Sequence, residues 1–315
     1  MEYKTTEALA EALRKLIPAA DIRVAEPMEG HSTFRAGGAA DLFIDLESVA
    51  DLRTCVTLLS REEMPFFLLG RGSNLLVSDK GYPGAVLHLC GAAFKELVIE
   101  ETKLTAGASV TLHQAAQAAY EAGLSGMEAL SGIPGTVGGA LTMNAGAYGT
   151  EMKDVVQRVT ALDLRQLSET EEGIVRLSAE EMCFAYRGSV AKTRPLVFLE
   201  AELALTPGQQ EDIRARMQEL QAKRTEKQPL EFPSAGSTFK RPEGHFAGKL
   251  IEDAGLRGYR AGGAQVSEKH CGFIINTGGA TATDILTLMR QVRDRVRETS
   301  GVTLEPEVMI LGEEF

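Results

Sequence analysis

Residues 130–150 read L-S-G-I-P-G-T-V-G-G-A-L-T-M-N-A-G-A-Y-G-T, and the assignment of the whole chain turns on this stretch. Gly132, Gly135, Gly138, Gly139, Gly146 and Gly149 fall within eighteen residues. Glycine costs conformational entropy, so it persists where φ must be positive or where backbone approaches something closely. This density, with Pro134 fixing one φ angle, predicts a segment that is not a helix. Leu130, Ile133, Val137, Leu141 and Met143 make it too apolar for a solvated linker. Two readings follow: buried tight turns in a β-rich core, or a backbone wall against a large flat or phosphate-bearing ligand. The stretch by itself leaves both open.

At 315 residues the chain suits two domains, or one large domain with an insertion. A net charge of −11 speaks against broad nucleic-acid binding and leaves room for a local basic patch. No apolar run approaches a membrane span, and the N-terminal segment, with Glu2, Glu7 and Glu11, lacks a signal-peptide pattern. A cytoplasmic protein without membrane insertion is expected. Cys55, Cys90, Cys183 and Cys271 lack C-x-x-C spacing, which predicts four buried free thiols and neither a zinc site nor a disulfide framework. His31, His88, His113, His245 and His270 show no paired spacing, so no metal is expected.

Working outward, residues 1–18 read as an amphipathic helix with Leu9, Leu13 and Leu16 on one face. Ser48 can cap a helix carrying Val49, Leu52, Val56 and Leu59, set between strands at 40–46 and 65–69. Gly70-Arg71-Gly72-Ser73-Asn74 follows at once. It fails the dinucleotide fingerprint, because the third glycine would fall at Leu75 and a strand and a turn (75–77, 78–84) follow where a helix is needed. A glycine loop between strands can still offer a nest of N–H groups to a phosphate; a plain hairpin turn is the alternative. Short strands at 86–89, 97–101 and 103–106 lead to a helix at 110–121, and longer strands read at 155–164 and 195–205. Between those two, F-A-Y-R-G-S places Arg187 at a turn.

Pro207-Gly208 marks a boundary, and a highly charged helix follows at 209–226. Residues 223–270 hold nine Lys/Arg and six Asp/Glu, a net +3 that leaves −14 for the remainder. That reversal suggests a site for an anionic substrate; a solvated basic face is the alternative. Within it, P-S-A-G-S-T-F-K (233–240) matches no nucleophile elbow and leans toward a turn. A short helix at 247–254, a buried strand at 271–276, a helix at 281–299 ended by Gly301 and a strand at 302–311 complete the pattern. Glu305 reads as solvent-facing, and Glu307 stays undecided between a surface and a functional carboxylate.

Taken in order, T-F-R-A-G-G (33–38), G-R-G-S-N-L-L-V (70–77), S-G-I-P-G-T-V-G-G (131–139), N-A-G-A-Y-G (144–149), Y-R-G-S (186–189), A-G-S-T-F-K (235–240), A-G-K-L-I-E-D-A-G-L (247–256), G-G-A-Q-V-S-E-K-H (262–270) and E-P-E-V (305–308) resemble the UDP-N-acetylenolpyruvoylglucosamine reductases across nearly the whole chain. Each motif alone is weak; the ordered set is specific. The resemblance implies an α+β protein with an FAD-binding fold of the vanillyl-alcohol-oxidase type. Residues 1–205 would bind FAD in two subdomains (about 1–85 and 86–205), 206–301 would hold substrate, and 302–315 would return to the flavin region.

The same resemblance implies hydride transfer from NADPH to flavin and on to C3 of the enolpyruvyl group of UDP-N-acetylglucosamine enolpyruvate, both substrates using one site in turn. Ser237 would give the proton to C2, with Arg187 and Glu307 as its partners. FAD would be held by Arg35, Gly70, Arg71, Gly72, Ser73, Asn74, Leu75, Ser131, Ile133, Pro134, Gly135, Gly138, Gly139, Asn144 and Gly146. It would be non-covalent, since no histidine follows R-A-G-G. Substrate contacts would come from Tyr186, Lys240 and Arg241, with Lys227, Lys249 and Arg257 as diphosphate candidates that also read as surface charges. Arg241 stands where relatives often carry Asn, and the chain lacks the long tyrosine loop some relatives have after Y-R-x-S, so it resembles the shorter type. A monomer or weak dimer is expected. An FAD-dependent oxidase of another small alcohol or sugar, or a non-catalytic flavin- or nucleotide-sugar-binding protein, are the competing readings.

Overall fold

A computed structural model describes Tyr3, residues 5–167 and residues 173–315. It divides into two compact units, each discontinuous in sequence: Met1–Val24, Leu42–Gly70 and Ala85–Lys223 form the first, and Ala25–Asp41, Arg71–Gly84 and Arg224–Phe315 the second. These boundaries differ from the sequential ones at 205/206 and 301/302, because strand partners are recruited from distant segments.

The first unit has two cores. In one, α1 (Thr6–Leu16) and α2 (Val49–Arg61) pack Leu9, Leu13, Leu52, Val56 and Leu59 against Leu42, Ile44, Leu46, Ala85 and Leu87. The strand alternation at 42–46 is the reason: even positions face the helices, while Phe43 turns away to sit 4.5 Å beneath the Arg23 guanidinium. Thr5 and Ser48 cap the two helices through their hydroxyls. Leu16, expected inside, is 55% exposed, and Ile17 beyond the helix end is buried instead.

In the other core, α3 (Leu112–Glu121) and α4 (Val137–Met143) cover an antiparallel sheet ordered Ile174–Ser178, Val156–Asp163, Leu196–Ala204, Lys103–Gly107, Leu97–Glu100. Thr111 and Gln114 close a capping box on α3. α4 is a correction: the glycine-dense stretch contains a helix. Its glycines are compatible with it because the surrounding backbone comes close, Gly138 meeting Ala108 and Gly139 donating to the Thr136 cap. α5 (Gln210–Lys227) is mostly exposed, burying Ile213 and Leu220.

The second unit centres on α7 (Ala282–Ser300), whose Ile285, Leu288, Met289, Val292 and Val296 pack with Phe34, Leu76, Phe239, Val266, Ile274 and Ile251, the last from α6 (Ala247–Asp253). Thr281 and Asp284 form a capping box, the Asp79 carboxylate accepts from the Ala282 and Thr283 N–H groups at 2.8 Å each, and Gly301 ends the helix at φ 74°. A three-stranded antiparallel sheet (Arg260–Ala261, Ala264–Val266, Ile274–Asn276) lies beside it. Met309–Leu311 pairs in parallel with Leu75–Val77.

Several expected boundaries move. The strand at 302–311 is reduced to Met309–Leu311, since residues 305–308 pair irregularly with 238–240. The strand at 271–276 shortens to Ile274–Asn276, and the turn at 78–84 yields its end to the strand Tyr82–Leu89. Of Phe66–Leu69 only Leu69 is buried. Cys183 is exposed and Cys90 half-buried, against the expectation of four buried thiols.

Candidate active site

Each unit carries part of the expected site. In the first, Gly70 ends the strand Phe66–Leu69, and a Cβ there would lie 2.8 Å from Thr136 Oγ1, the cap of α4. Glycine is therefore required by close approach. The wall reading narrows in the same way. Cβ directions at Gly138 and Gly146 are filled by Ala108 and by Glu151 and Thr150, whereas a Cβ at Gly135 or Gly139 would meet its nearest atom at ordinary van der Waals distance, 3.9 and 3.5 Å. Pro134 and Gly139 are exposed. Ser131 donates its hydroxyl to the Glu128 carbonyl, and Ile133 packs against the core.

Asn144, the left-handed cap of α4 at φ 42°, is completely buried. Its amide donates to Glu151 Oε2 and to the Ala185 carbonyl, both at 3.1 Å, and its oxygen accepts from the Lys153 N–H at 3.0 Å. This brings α4 to the Y-R-G-S turn, where Arg187 is itself left-handed (φ 52°) with its guanidinium 4.9 Å from the centroid of the Tyr186 ring.

In the second unit, residues 71–74 connect strands that belong to different sheets, which rules out the hairpin reading. Gly72 has φ +61°, and a Cβ there would strike the His31 carbonyl. Among the described residues, the backbone N–H groups of Arg71, Gly72, Ser73 and Asn74 donate to no protein oxygen, as an anion-binding nest requires. The loop is fixed from outside: the Gly72 carbonyl accepts from Thr33, the Asn74 side chain donates to the Glu307 carbonyl at 3.1 Å, and the Asn74 carbonyl accepts from Met309 at 2.9 Å. Buried Leu75 gives its carbonyl to the Ser32 hydroxyl. Arg35 is exposed between buried Phe34 and Ala36 at φ 54°, with the Phe34 and Arg35 carbonyls held by Asn276 Nδ2. Sequence reasoning missed Asn276, which stands in an unremarkable N-T-G-G, and Thr136, whose position before V-G-G is the one cap signal available.

Ser237 and Glu307 are brought together by the main chain. The Glu307 N–H donates to the Thr238 carbonyl at 2.9 Å, Phe239 bridges Pro306 in antiparallel sense, and the Lys240 N–H donates to the Glu305 carbonyl. Thr238 is fully buried, its hydroxyl accepting from Ile274 N–H. Ser237 is thus an exposed hydroxyl on a rigid support. Glu305 faces solvent, as expected, and pairs with Lys240 at 3.0 Å.

The basic candidates divide. Lys249 and Arg257 are engaged by Asp253 and Glu252, both at 2.6 Å. Arg241 lies 4.0 Å from the Phe246 ring centroid and donates to the His245 carbonyl. Lys227 is exposed at the end of α5.

Acceptor-free N–H groups over a left-handed glycine in the second unit suit a diphosphate, and the first unit's Gly139, exposed and without a side chain, suits contact with a flat ring. The residues therefore fit FAD. Residues 40–165 match the family profile of an FAD binding domain, and residues 228–311 that of the C-terminal domain of UDP-N-acetylenolpyruvoylglucosamine reductase. A protein of that name from Caldanaerobacter subterraneus subsp. tengcongensis is 47% identical over 307 residues, covering 98% of this chain and 99% of its own length. Another from Clostridioides difficile is 46% identical over 302 residues, covering 96% and 97%. The crystal structure of UDP-N-acetylenolpyruvylglucosamine reductase from Thermus caldophilus superposes with a TM-score of 0.78 at 34% identity, covering 93% of this chain and 98% of that one.

Fold and site together define an FAD-dependent oxidoreductase of α+β architecture. The chain belongs to the UDP-N-acetylenolpyruvoylglucosamine reductase family.

Proposed function

We propose that the protein reduces UDP-N-acetylglucosamine enolpyruvate to UDP-N-acetylmuramate, a precursor of peptidoglycan, with NADPH as reductant. FAD would draw on residues 71–74 in the second unit and, separately, on Gly135 and Gly139 in the first, and when bound it would supply hydride transfer from the nicotinamide to C3 of the enolpyruvyl group.

The protein's own groups manage charge and protons. Addition at C3 places negative charge on C2 and the adjoining carboxylate, and the Arg187 guanidinium chelates that carboxylate. Ser237 delivers a proton to C2. A serine hydroxyl is a weak acid, so this requires a fixed donor in a water-poor site. Glu307 orients the proton-carrying group. The observation that carries this reading is the pairing of 238–240 with 305–308, which sets Ser237, next in the chain to Thr238, and Glu307 on one support. Substrate recognition falls to residues 206–301, where the net positive stretch lies. Lys227 is the simplest diphosphate contact, since Lys240, Lys249 and Arg257 already hold acids.

The test is optical. Purified protein should be yellow, bleach anaerobically with NADPH and recolour on addition of UDP-N-acetylglucosamine enolpyruvate. A colourless protein would end this reading, and recolouring by oxygen alone would point to an oxidase. Ser237→Ala should leave bleaching intact and slow recolouring by about 10²-fold or more; normal rates in both halves would remove Ser237 from the mechanism.

A further inference from the structure

We propose that Asn144 and Ser189 are positioning residues for Arg187, clamping its turn to the end of α4. The inference rests on Arg187 as the carboxylate-binding group.

The hydrogen bonds of Asn144 use its full donor capacity within the protein. Both amide N–H groups are taken, by Glu151 Oε2 and the Ala185 carbonyl, and its oxygen faces the Lys153 N–H. A flipped amide would set its oxygen against a carboxylate and a carbonyl, so one orientation satisfies the site. No donor remains for a flavin, which separates this residue from the other expected cofactor contacts. Glu151 is itself held by Lys153 Nζ at 2.6 Å.

The second point of the clamp is Ser189, which is buried and donates its hydroxyl to the Thr142 carbonyl in α4 at 3.2 Å. Between these anchors Ala185 and Gly188 exchange backbone hydrogen bonds at 3.0 and 3.2 Å. The Ala185 carbonyl thus accepts from Gly188 and from Asn144. Tyr186 and Arg187 lie between these anchors, and Arg187 is held left-handed, a conformation disfavoured for residues with a Cβ. Such a backbone persists where its surroundings over-determine it. An arginine side chain is long, so its fork meets a carboxylate bidentately only if its root is fixed.

Asn144→Gly tests this without removing the left-handed cap, which glycine adopts freely. Four measurements are made: FAD affinity by fluorescence titration of apoprotein, hydrogen exchange at the Gly188 amide, bleaching by NADPH, and recolouring by the enolpyruvyl substrate. Exchange at Gly188 should quicken and recolouring slow by about tenfold, the worth of one buried hydrogen bond, while FAD affinity and bleaching stay within about twofold. Ser189→Ala should move the same two readouts in the same direction. Unchanged exchange at Gly188 in both variants overturns the clamp, as does loss of FAD affinity matching the loss of recolouring. Faster exchange together with normal recolouring in Arg187→Ala overturns the role of Arg187, and the positioning role with it.

Discussion

Gly72 and Gly135, one in each unit, show how differently two glycines proposed as cofactor contacts are constrained. Gly72 is left-handed and its Cβ direction is blocked by the His31 carbonyl. Gly72→Ala should therefore cost at least about 1–2 kcal/mol from conformation alone, and more from the clash, visible as a lower Tm together with loss of bound FAD. Gly135 has room for a methyl, its nearest neighbour at an ordinary contact distance of 3.9 Å. Gly135→Ala should leave stability within about 0.5 kcal/mol, yet weaken FAD in an apoprotein titration if its face meets the ring. The sequence shows that glycines cluster here. It does not show which approach protein and which face a ligand, because that depends on where the folded chain sets Ala108, Glu151 and Thr136. Asp163 belongs to the same scale. Burial alone would push its carboxyl up, but hydrogen bonds from Arg165 and Arg194 prevail and hold it below the usual carboxylate range. A depressed folded-state value means the stabilisation is present above the unfolded value of about 4 and is lost as pH falls through the lower folded value. Arg194→Met should destabilise by roughly 3 kcal/mol at neutral pH and flatten the acid limb of urea midpoints against pH.

At the scale of elements, α7 was legible: a helix at 281–299 with Gly301 at its end is what the structure shows, which adds a capping box of Thr281 and Asp284. What sequence withheld is its second cap. Asp79 lies about 200 positions away and accepts from the Ala282 and Thr283 N–H groups. Those bonds outweigh the opposing effect of burial and hold its carboxyl below the ordinary range. Asp79→Ala should lower stability by about 1 kcal/mol, read from urea unfolding above pH 5 or so, where the carboxylate is charged. α4 was illegible for the opposite reason. Three glycines near its start argue against a helix by propensity, and tertiary approach overrides them. Residues 302–311 read as one strand from their apolar alternation, but only the last three find a regular partner. The rest are diverted to 238–240, a pairing with no signature in either segment.

For the molecule as a whole, the α+β class and the ordered motifs were recoverable, whereas its division was not, since each unit draws on three separate segments. The thiols offer a global test. Cys55 and Cys90 are pushed up to about 12, in both cases chiefly by burial, with the Glu47 carboxylate adding to it for Cys90. Cys271 is also raised by burial, while Cys183 is exposed. Iodoacetamide at neutral pH should modify Cys183 first, with Cys55 and Cys271 reacting only on denaturation; equal labelling of all four in mass spectrometry would contradict the fold. The pairing of Met309–Leu311 with Leu75–Val77 has a consequence in time. The bonds from Asn74 to Glu307 and from Asn276 to Phe34 span 233 and 242 positions. A nascent chain that has emerged only through residue 223 holds the 71–74 loop without the segments that shape it. With FAD bound there as proposed, cofactor capture awaits nearly all of translation, and ribosome-stalled chains halted at that point should take up no flavin.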